Sequence, residues 1–415
     1  MDILEAAFHP RAIAVAGASE NPSSFGYHYV RHLLDYHYPG DIYPVNPAHE
    51  VILGLKAYPD LRSIPGPIDY VICCLPASKV LDLLAQCPSR GVKVVHLLTA
   101  RFSETGRREA TDLETKILQE ARKLNIRLIG PNCMGIYYPG GGIAHGYDMP
   151  QEAGTVGAVF QSGGLSDSLV RYGEVQGLRF SKVISYGNAL DLDEGDFLRY
   201  LAHDDETKVI AAYFEGAKDG RKLLNALASA ARAKPVIAIK GGRGTAGIKA
   251  AASHTAAIAG SDSMWRTAFK KTGVVQARDM SELVDFLVAF SCLPPIRGNR
   301  VAVVGGGGGM SVTAADACEE AGLVVPPLPP DIREELRAKV PEIWDWLGNP
   351  VDNSIMGGIS ADFHTGPGQI PRMLTRTPHF DLVIAQVSEE APLPEEIWTA
   401  IIRMQAEEMI NLHGE

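Results

Sequence analysis

The chain has 415 residues, 46% of them hydrophobic and 21% charged, with a formal net charge of −10. That composition is ordinary for a globular chain, the length predicts about three domains at roughly 150 residues each, and the acidic balance argues against nucleic acid as the main partner. The longest apolar runs, such as Ala12–Ala18 and Val71–Leu75, are strand-length and far short of the roughly 20 residues that span a bilayer, so no membrane partner is expected.

The N-terminus carries acidic residues and no basic n-region, which predicts no secretory leader. Short β-rich runs at Ala12–Ala18, Ile42–Asn46, Asp69–Pro76, Val92–Thr99 and Arg127–Asn132 read as strands, each closed by a turn residue. Helical patterns lie between them. The clearest is Ala110–Asn125, where Leu113, Ile117, Leu118, Ala121 and Leu124 form one apolar stripe. Strands alternating with helices predict a parallel sheet covered on both faces, with ligands at the carboxyl ends of its strands.

Three features of this segment bear on chemistry. Gly17-Ala18-Ser19 through Gly26 follows the first strand and opens a helix, so backbone N–H groups can face a phosphate. The spacing is not G-x-G-x-x-G, and no acidic residue closes Ile42–Asn46 to hold a ribose, so a nucleotide-like ligand other than NAD is expected. His28 and His32 share a helix face but lack an acidic or thiol companion at motif spacing; a solvated face is the reading, not a metal site. Cys133, in Gly130-Pro131-Asn132-Cys133-Met134-Gly135, has no visible base or electropositive setting, which favours a pocket wall over a nucleophile.

A Gly/Pro-rich passage from Tyr138 to Pro150 reads as a linker. A second unit follows, with strands at Val156–Phe160, Val183–Tyr186, Val209–Phe214 and Pro235–Lys240 and helices near Leu165–Gln176, Gly195–His203, Arg221–Arg232 and Ser281–Phe290. Gln161-Ser162-Gly163-Gly164 ends one strand and starts a helix, giving N–H donors for an anion. Glu215 closes a strand and is placed to orient a histidine. That histidine is His254, which sits among small residues after Gly241-Gly242-Arg243-Gly244 and before a helix at Ser261–Lys271, open to attack on phosphorus. A third unit restarts with a strand at Arg300–Val304, five glycines from Gly305 to Gly309 and a helix through Glu320; the last pattern, Glu395–Leu412, is helical. The six cysteines (Cys73, Cys74, Cys87, Cys133, Cys292 and Cys318) show no CxxC spacing, which predicts reduced thiols in a cytoplasmic protein.

Together GASENPSSFG, YPVNP, GPNCMGI, FQSGGL, SYGNALDLDEGDFLRYLAHD, YFEGAKDGR, the SHT loop and Asn349-Pro350-Val351-Asp352 resemble, in order, the α-subunit module of the nucleoside-diphosphate-forming acyl-CoA synthetases. The resemblance implies an α/β chain of three consecutive doubly wound domains. These are a Rossmann-like CoA-binding domain at 1–140, a flavodoxin-like domain at 151–293 bearing a phosphohistidine, and a second flavodoxin-like domain at 298–415 that lacks an identified final strand. It implies His254 as the phosphohistidine, Glu215 as its carboxylate partner, and Ser162, Gly163 and Gly164 as the phosphoryl cradle. Gly17, Ser19 and Pro22 would belong to the CoA-binding turn, with Asn132 and Cys133 near the thiol and acyl end.

The implied reaction joins a carboxylic acid to CoA at the expense of ATP, through an acyl phosphate and phosphorylated His254 carried on a swinging loop. No ATP-grasp sequence is visible, so ATP/ADP and Mg2+ are expected on a partner subunit or elsewhere in the gene, within a homodimer or heterotetramer. Two departures stand out: Ala256 replaces the family's glycine after SHT, and Arg101 stands in an AGF-like turn, where it either pairs with a CoA phosphate or crowds the site. A non-catalytic CoA or acyl-CoA sensor of the same fold is the alternative; an NAD oxidoreductase is disfavoured by the absent ribose carboxylate.

Overall fold

The computed structural model describes residues 3–248, 261–305, 307–339, 347–352 and 369–386, with Trp344 and scattered positions between 395 and 410. The chain divides into two compact units, Met1–Cys292 and Leu293–Glu415.

The first unit opens with five parallel strands, β1 (Ala12–Ala16), β2 (Asp41–Val45), β3 (Tyr70–Cys73), β4 (Val94–Leu97) and β5 (Arg127–Ile129), in the order β2-β1-β3-β4-β5. Helix α1 (Phe25–Asp35) covers one face, and α2 (Val80–Leu84) and α3 (Arg108–Lys123) cover the other. Alternation along β1 shows why both faces need covering. Ile13 and Val15 pack with Tyr29, Val30 and Leu33 of α1, while Ala14 and Ala16 pack with Leu83, Leu84, Ile117 and Ala121. Of the stripe expected on α3, Ile117 and Ala121 pack fully and Leu113 and Leu124 lie at the margin of the core, while half-buried Leu118 stands outside it. The order reverses between β1 and β3, which opens a crevice at their carboxyl ends.

A second sheet follows in the same unit. Its strands are β6 (Gly135–Tyr137), β7 (Val156–Phe160), β8 (Phe180–Ser185), β9 (Val209–Phe214), β10 (Val236–Lys240) and β11 (Val275–Ala277), in the order β11-β10-β9-β7-β8-β6. All pairs are parallel except β8 with β6. Its helices are α4 (Gly163–Val175), α5 (Glu194–His203), α6 (Gly220–Ala233), α7 (Asp262–Thr272) and α8 (Met280–Cys292). The two three-residue strands β6 and β11 are absent from the pattern reading. β6 immediately precedes the Gly/Pro-rich stretch and becomes a strand only because Ile136 finds Ile184 across the sheet edge.

The two sheets share one apolar core, running from Ile13, Ile72 and Ile129 to Ile184, Ile210 and Phe197. They are also stitched by backbone. The amides of Asn188, Leu190 and Leu192 donate to the carbonyls of Pro131, Gly130 and Leu128 at 3.0, 2.9 and 3.2 Å, so the segment after β8 lies along the outer edge of β5. Asp191 joins the seam through Arg127 Nε at 2.7 Å and the Leu128 amide at 3.0 Å.

The second unit has two parallel strands among the described residues, β12 (Val301–Gly305) and β13 (Leu382–Gln386), with α9 (Gly308–Glu320), α10 (Pro330–Lys339) and α11 (Gln369–Thr375). The pattern reading has no strand at β13. Its core gathers Ala302, Val304, Ile332, Leu336, Ile370 and Leu374. Asn349 braces β12, accepting from the Val303 amide at 2.9 Å and donating to the Val301 carbonyl at 2.8 Å.

Three histidines of the first unit, His32, His96 and His145, are 2%, 1% and 3% exposed, and burial lowers each from 6.5 to about 4. A group whose folded value is depressed keeps its full contribution above the unfolded value and loses it as pH falls toward the folded one. Stability should therefore decline as pH falls from 6.5 toward about 4, with a slope on the order of 1 kcal/mol per pH unit for each histidine. Urea unfolding at a series of pH values checks this, and His96→Gln should flatten part of the slope; a curve level from pH 7 to 5 would refute neutral burial.

Candidate active site at the carboxyl ends of two sheets

The seam brings two sets of strand ends together. Gly187, at φ +56°, sits where a Cβ would lie 2.3 Å from the Pro131 carbonyl oxygen, so only glycine lets the loop after β8 touch the loop after β5. Met134 completes the contact. Its amide donates to Ser185 Oγ at 3.1 Å, and its carbonyl accepts from Tyr29 Oη at 2.7 Å. Gly163 lets Met134 approach the start of α4, since a Cβ there would meet the Met134 side chain at 2.7 Å.

Ser162 is the N-cap of α4, its Oγ accepting from the Leu165 amide at 3.3 Å. The amides of Gly163 and Gly164 are first-turn groups with no intrahelical carbonyl to serve, and the helix dipole makes that end attractive to an anion. Glu215 follows β9 and is partly buried. Tyr213 Oη donates to its Oε1 at 3.4 Å.

Two residues to which the sequence reading gave no individual role hold the Glu215 peptide. Gln161 Oε1 accepts from the amides of Glu215 and Gly216 at 2.8 and 3.2 Å. Lys240 Nζ donates to the Glu215 carbonyl at 3.0 Å and to the Gly241 carbonyl, and lies 5.4 Å from the Trp265 ring centroid. Lys240 is 2% exposed; burial lowers its pKa, while attraction to Glu215 and Asp262 opposes the shift. Gln161 opened a motif already singled out for its backbone; Lys240 ended an apolar strand and carried no local signal.

His254 lies outside the described residues.

The turn after β1 has Gly17 at φ +87°, its amide bonded to the Val45 carbonyl at 3.0 Å. Ser19 Oγ accepts from the Asn21 amide at 3.0 Å, Ser24 caps α1, and Pro22 is exposed beside them. Asn46, standing where a ribose carboxylate would be, instead donates from Nδ2 to the Ala18 carbonyl at 2.7 Å and braces the turn. Asn132 adopts φ +58° with its amide on the Thr99 carbonyl at 2.9 Å. The Cys133 side chain turns into the apolar core, 4% exposed, and burial pushes its thiol up to about 12. Arg101 is exposed at φ +78°, its amide held by Glu104 at 2.5 Å, and Glu104 also takes Asn188 Nδ2 at 2.8 Å. The face expected to be solvated is not so at His32, which is 2% exposed and lies at a ring distance of 4.5 Å from Tyr147, while half-buried His28 is hydrogen-bonded to the same tyrosine.

Comparison with known proteins places three family models on the chain: a CoA binding domain on residues 11–139, a succinyl-CoA ligase like flavodoxin domain on 153–290 and a ligase-CoA domain on 301–366. The α subunit of the ADP-forming acetate–CoA ligase II of Pyrococcus furiosus is 38% identical over 92% of this chain and 82% of its own. The ADP-forming acetate–CoA ligase of Methanocaldococcus jannaschii is 35% identical over 83% of this chain, which spans 48% of that longer protein. The solved structure of the dinucleotide forming acetyl-coenzyme A synthetase 1 of Ca. Korarchaeum cryptofilum, in complex with phosphate and ADP, matches with a TM-score of 0.83 and 30% identity, covering 100% of this chain and 87% of that one.

Two outcomes follow from the packing. A Cβ at Gly26 would lie 1.9 Å from the Gly17 carbonyl oxygen, whereas Gly164 has nothing within 4 Å. Gly26→Ala should therefore cost about 1–3 kcal/mol of unfolding free energy and Gly164→Ala very little, as read by urea titration. The thiol of Cys133 should resist iodoacetamide at pH 8 in the folded protein while exposed Cys292 reacts, which peptide mapping by mass spectrometry checks.

Proposed function

This chain belongs to the ADP-forming acyl-CoA synthetases, and we propose that it is the CoA-binding, phosphohistidine-carrying part of an acid–thiol ligase. The overall reaction converts a carboxylic acid, CoA and ATP into acyl-CoA, ADP and phosphate. One observation carries the reading: the amino end of α4, the Glu215 peptide and the Asn132–Gly135 loop converge where the two sheets meet. We divide the chain into a CoA-binding module at 1–140, a phosphohistidine module at 151–293 and a third module at 298–415, a division supported by the ranges of the three family models.

In this proposal the turn carrying Gly17, Ser19 and Pro22, together with the start of α1, receives a CoA phosphate, and the thiol end reaches the Asn132–Cys133 loop. The buried Cys133 thiol stays protonated and takes no covalent part. Read from the thioester side, a phosphate oxygen attacks the acyl carbon and the CoA thiolate leaves and takes up a proton. An imidazole nitrogen of His254 then attacks phosphorus; the N–P bond forms as the O–P bond breaks, and the carboxylate departs. Glu215 accepts the N–H of the other ring nitrogen, fixing the tautomer and stabilising the cationic ring. The free amides of Ser162-Gly163-Gly164 stabilise the phosphoryl group, the positioning that this chemistry mainly demands.

ATP-grasp function, ATP/ADP and Mg2+ belong to a partner subunit, a reading supported by the subunit naming of the Pyrococcus relative. Among the described residues no group of three or more His, Cys, Asp or Glu is arranged for a metal ion. We place the assembly, an oligomer with its partner, in the cytoplasm; among the described residues no helix is long and apolar enough to cross a membrane.

The test uses the chain with its partner subunit. His254→Ala should reduce turnover by several orders of magnitude with CoA affinity and melting temperature nearly unchanged, and the chain alone should make no acyl-CoA from ATP. CoA binding without any phosphohistidine would instead establish a sensor, and micromolar NAD binding without CoA binding would overturn the proposal.

A further inference from the structure

Resting on that reading, we propose that the side-chain NH2 of Gln161 donates to the phosphoryl group at the thioester site, so that Gln161 is a substrate-binding residue as well as a brace. The amide's orientation is set by chemistry. Its Oε1 takes two backbone N–H groups, from Glu215 at 2.8 Å and Gly216 at 3.2 Å, and an NH2 in that position could accept neither. The NH2 therefore occupies the opposite lobe of a planar amide, with two donors that no described residue accepts. Gln161 itself is 5% exposed, and that NH2 is not one of the buried polar atoms left without a partner: it opens onto solvent, where a ligand oxygen can take the place of water.

Its surroundings say what that partner is. Gln161 immediately precedes the N-cap Ser162, so its side chain starts beside the electropositive end of α4 and reaches across to the start of the Glu215 segment. Its backbone is equally fixed: its amide donates to the Tyr213 carbonyl at 3.1 Å and its carbonyl accepts from the Gly187 amide at 3.2 Å. A rigid pair of donors between a helix N-terminus and a carboxylate suits a tetrahedral oxyanion, and such a group can bridge from the cradle toward the side where Glu215 holds its partner.

Gln161→Glu separates the two roles. A carboxylate still accepts from Glu215 and Gly216, so the brace survives, but its second oxygen faces the phosphoryl group as an acceptor. The chain with its partner subunit is labelled in two ways: from labelled ATP, at the nucleotide site, and from acetyl-CoA with labelled inorganic phosphate, at this site. Q161E should lose about tenfold or more of the acetyl-CoA-dependent label, the loss expected for a hydrogen bond to a charged group, while label from ATP and CoA affinity stay within about twofold. Equal labelling from both sources would overturn the proposal. Should Q161E not fold, Gln161→Met carries the test: KM for phosphate rises about tenfold with KM for acetyl-CoA unchanged, and an unchanged phosphate KM overturns it. Failure of the underlying reading is distinct: the wild type would take label from neither source, or His254→Ala would keep it.

Discussion

Three backbone hydrogen bonds between residues 188–192 and the outer edge of β5, at 2.9 to 3.2 Å, hold the two sheets of the first unit in one register. An edge strand with unpaired amides and carbonyls is a liability in isolation, and here it is covered by a segment whose own carboxyl end leads into α5. The consequence is chemical. Because the segment begins at the end of β8 and lies against the end of β5, the ligand-accepting ends of both sheets face one volume. The Arg127–Asp191 pair at 2.7 Å, its carboxylate 7% exposed, fixes the seam laterally.

Within that volume the Glu215 peptide is held at both of its backbone groups. Gln161 holds its amide from β7, and Lys240 holds its carbonyl from β10, so three neighbouring strands cooperate to place one carboxylate. A buried ammonium is costly unless its donors are satisfied. Lys240 meets that cost with two carbonyls and the face of Trp265, which pins the ends of β9 and β10 where the chain leaves toward His254. The same economy appears in the second unit, where Asn349, part of a family motif, serves β12 as a three-bond backbone brace to Val301, Val303 and Pro326.

The turn after β1 illustrates how ligand preference is built from small residues. Gly26 approaches Gly17 so closely that no side chain fits between them, which draws the start of α1 against the turn and directs its first amides at the crevice. Asn46 closes the back of the turn with an amide where an acidic residue would otherwise face a ribose. The missing carboxylate thus has a structural occupant, one that stabilises the loop and presents no negative charge to a phosphate-bearing ligand.

The sequence by itself determined the alternation of strands and helices, because apolar runs of four to six residues and stripes of period 3.6 are local properties; β7 and β9 appear at the residues their patterns mark. It also determined the capped start of α4 and the Gly17 turn, since a glycine's backbone freedom and a serine's capping hydroxyl act on their immediate neighbours. Tertiary structure decided what depends on neighbours far along the chain. β6 exists only by pairing with β8, β13 only by pairing with β12, and Cys133 is a buried thiol only because the core closes over it. Gln161 and Lys240 acquired their roles in the same way, since each acts on Glu215 from a different strand, 54 and 25 residues away in sequence. A hydrogen bond across a parallel sheet leaves no periodicity in the chain that makes it, so residue pattern could mark Glu215 but not what holds it.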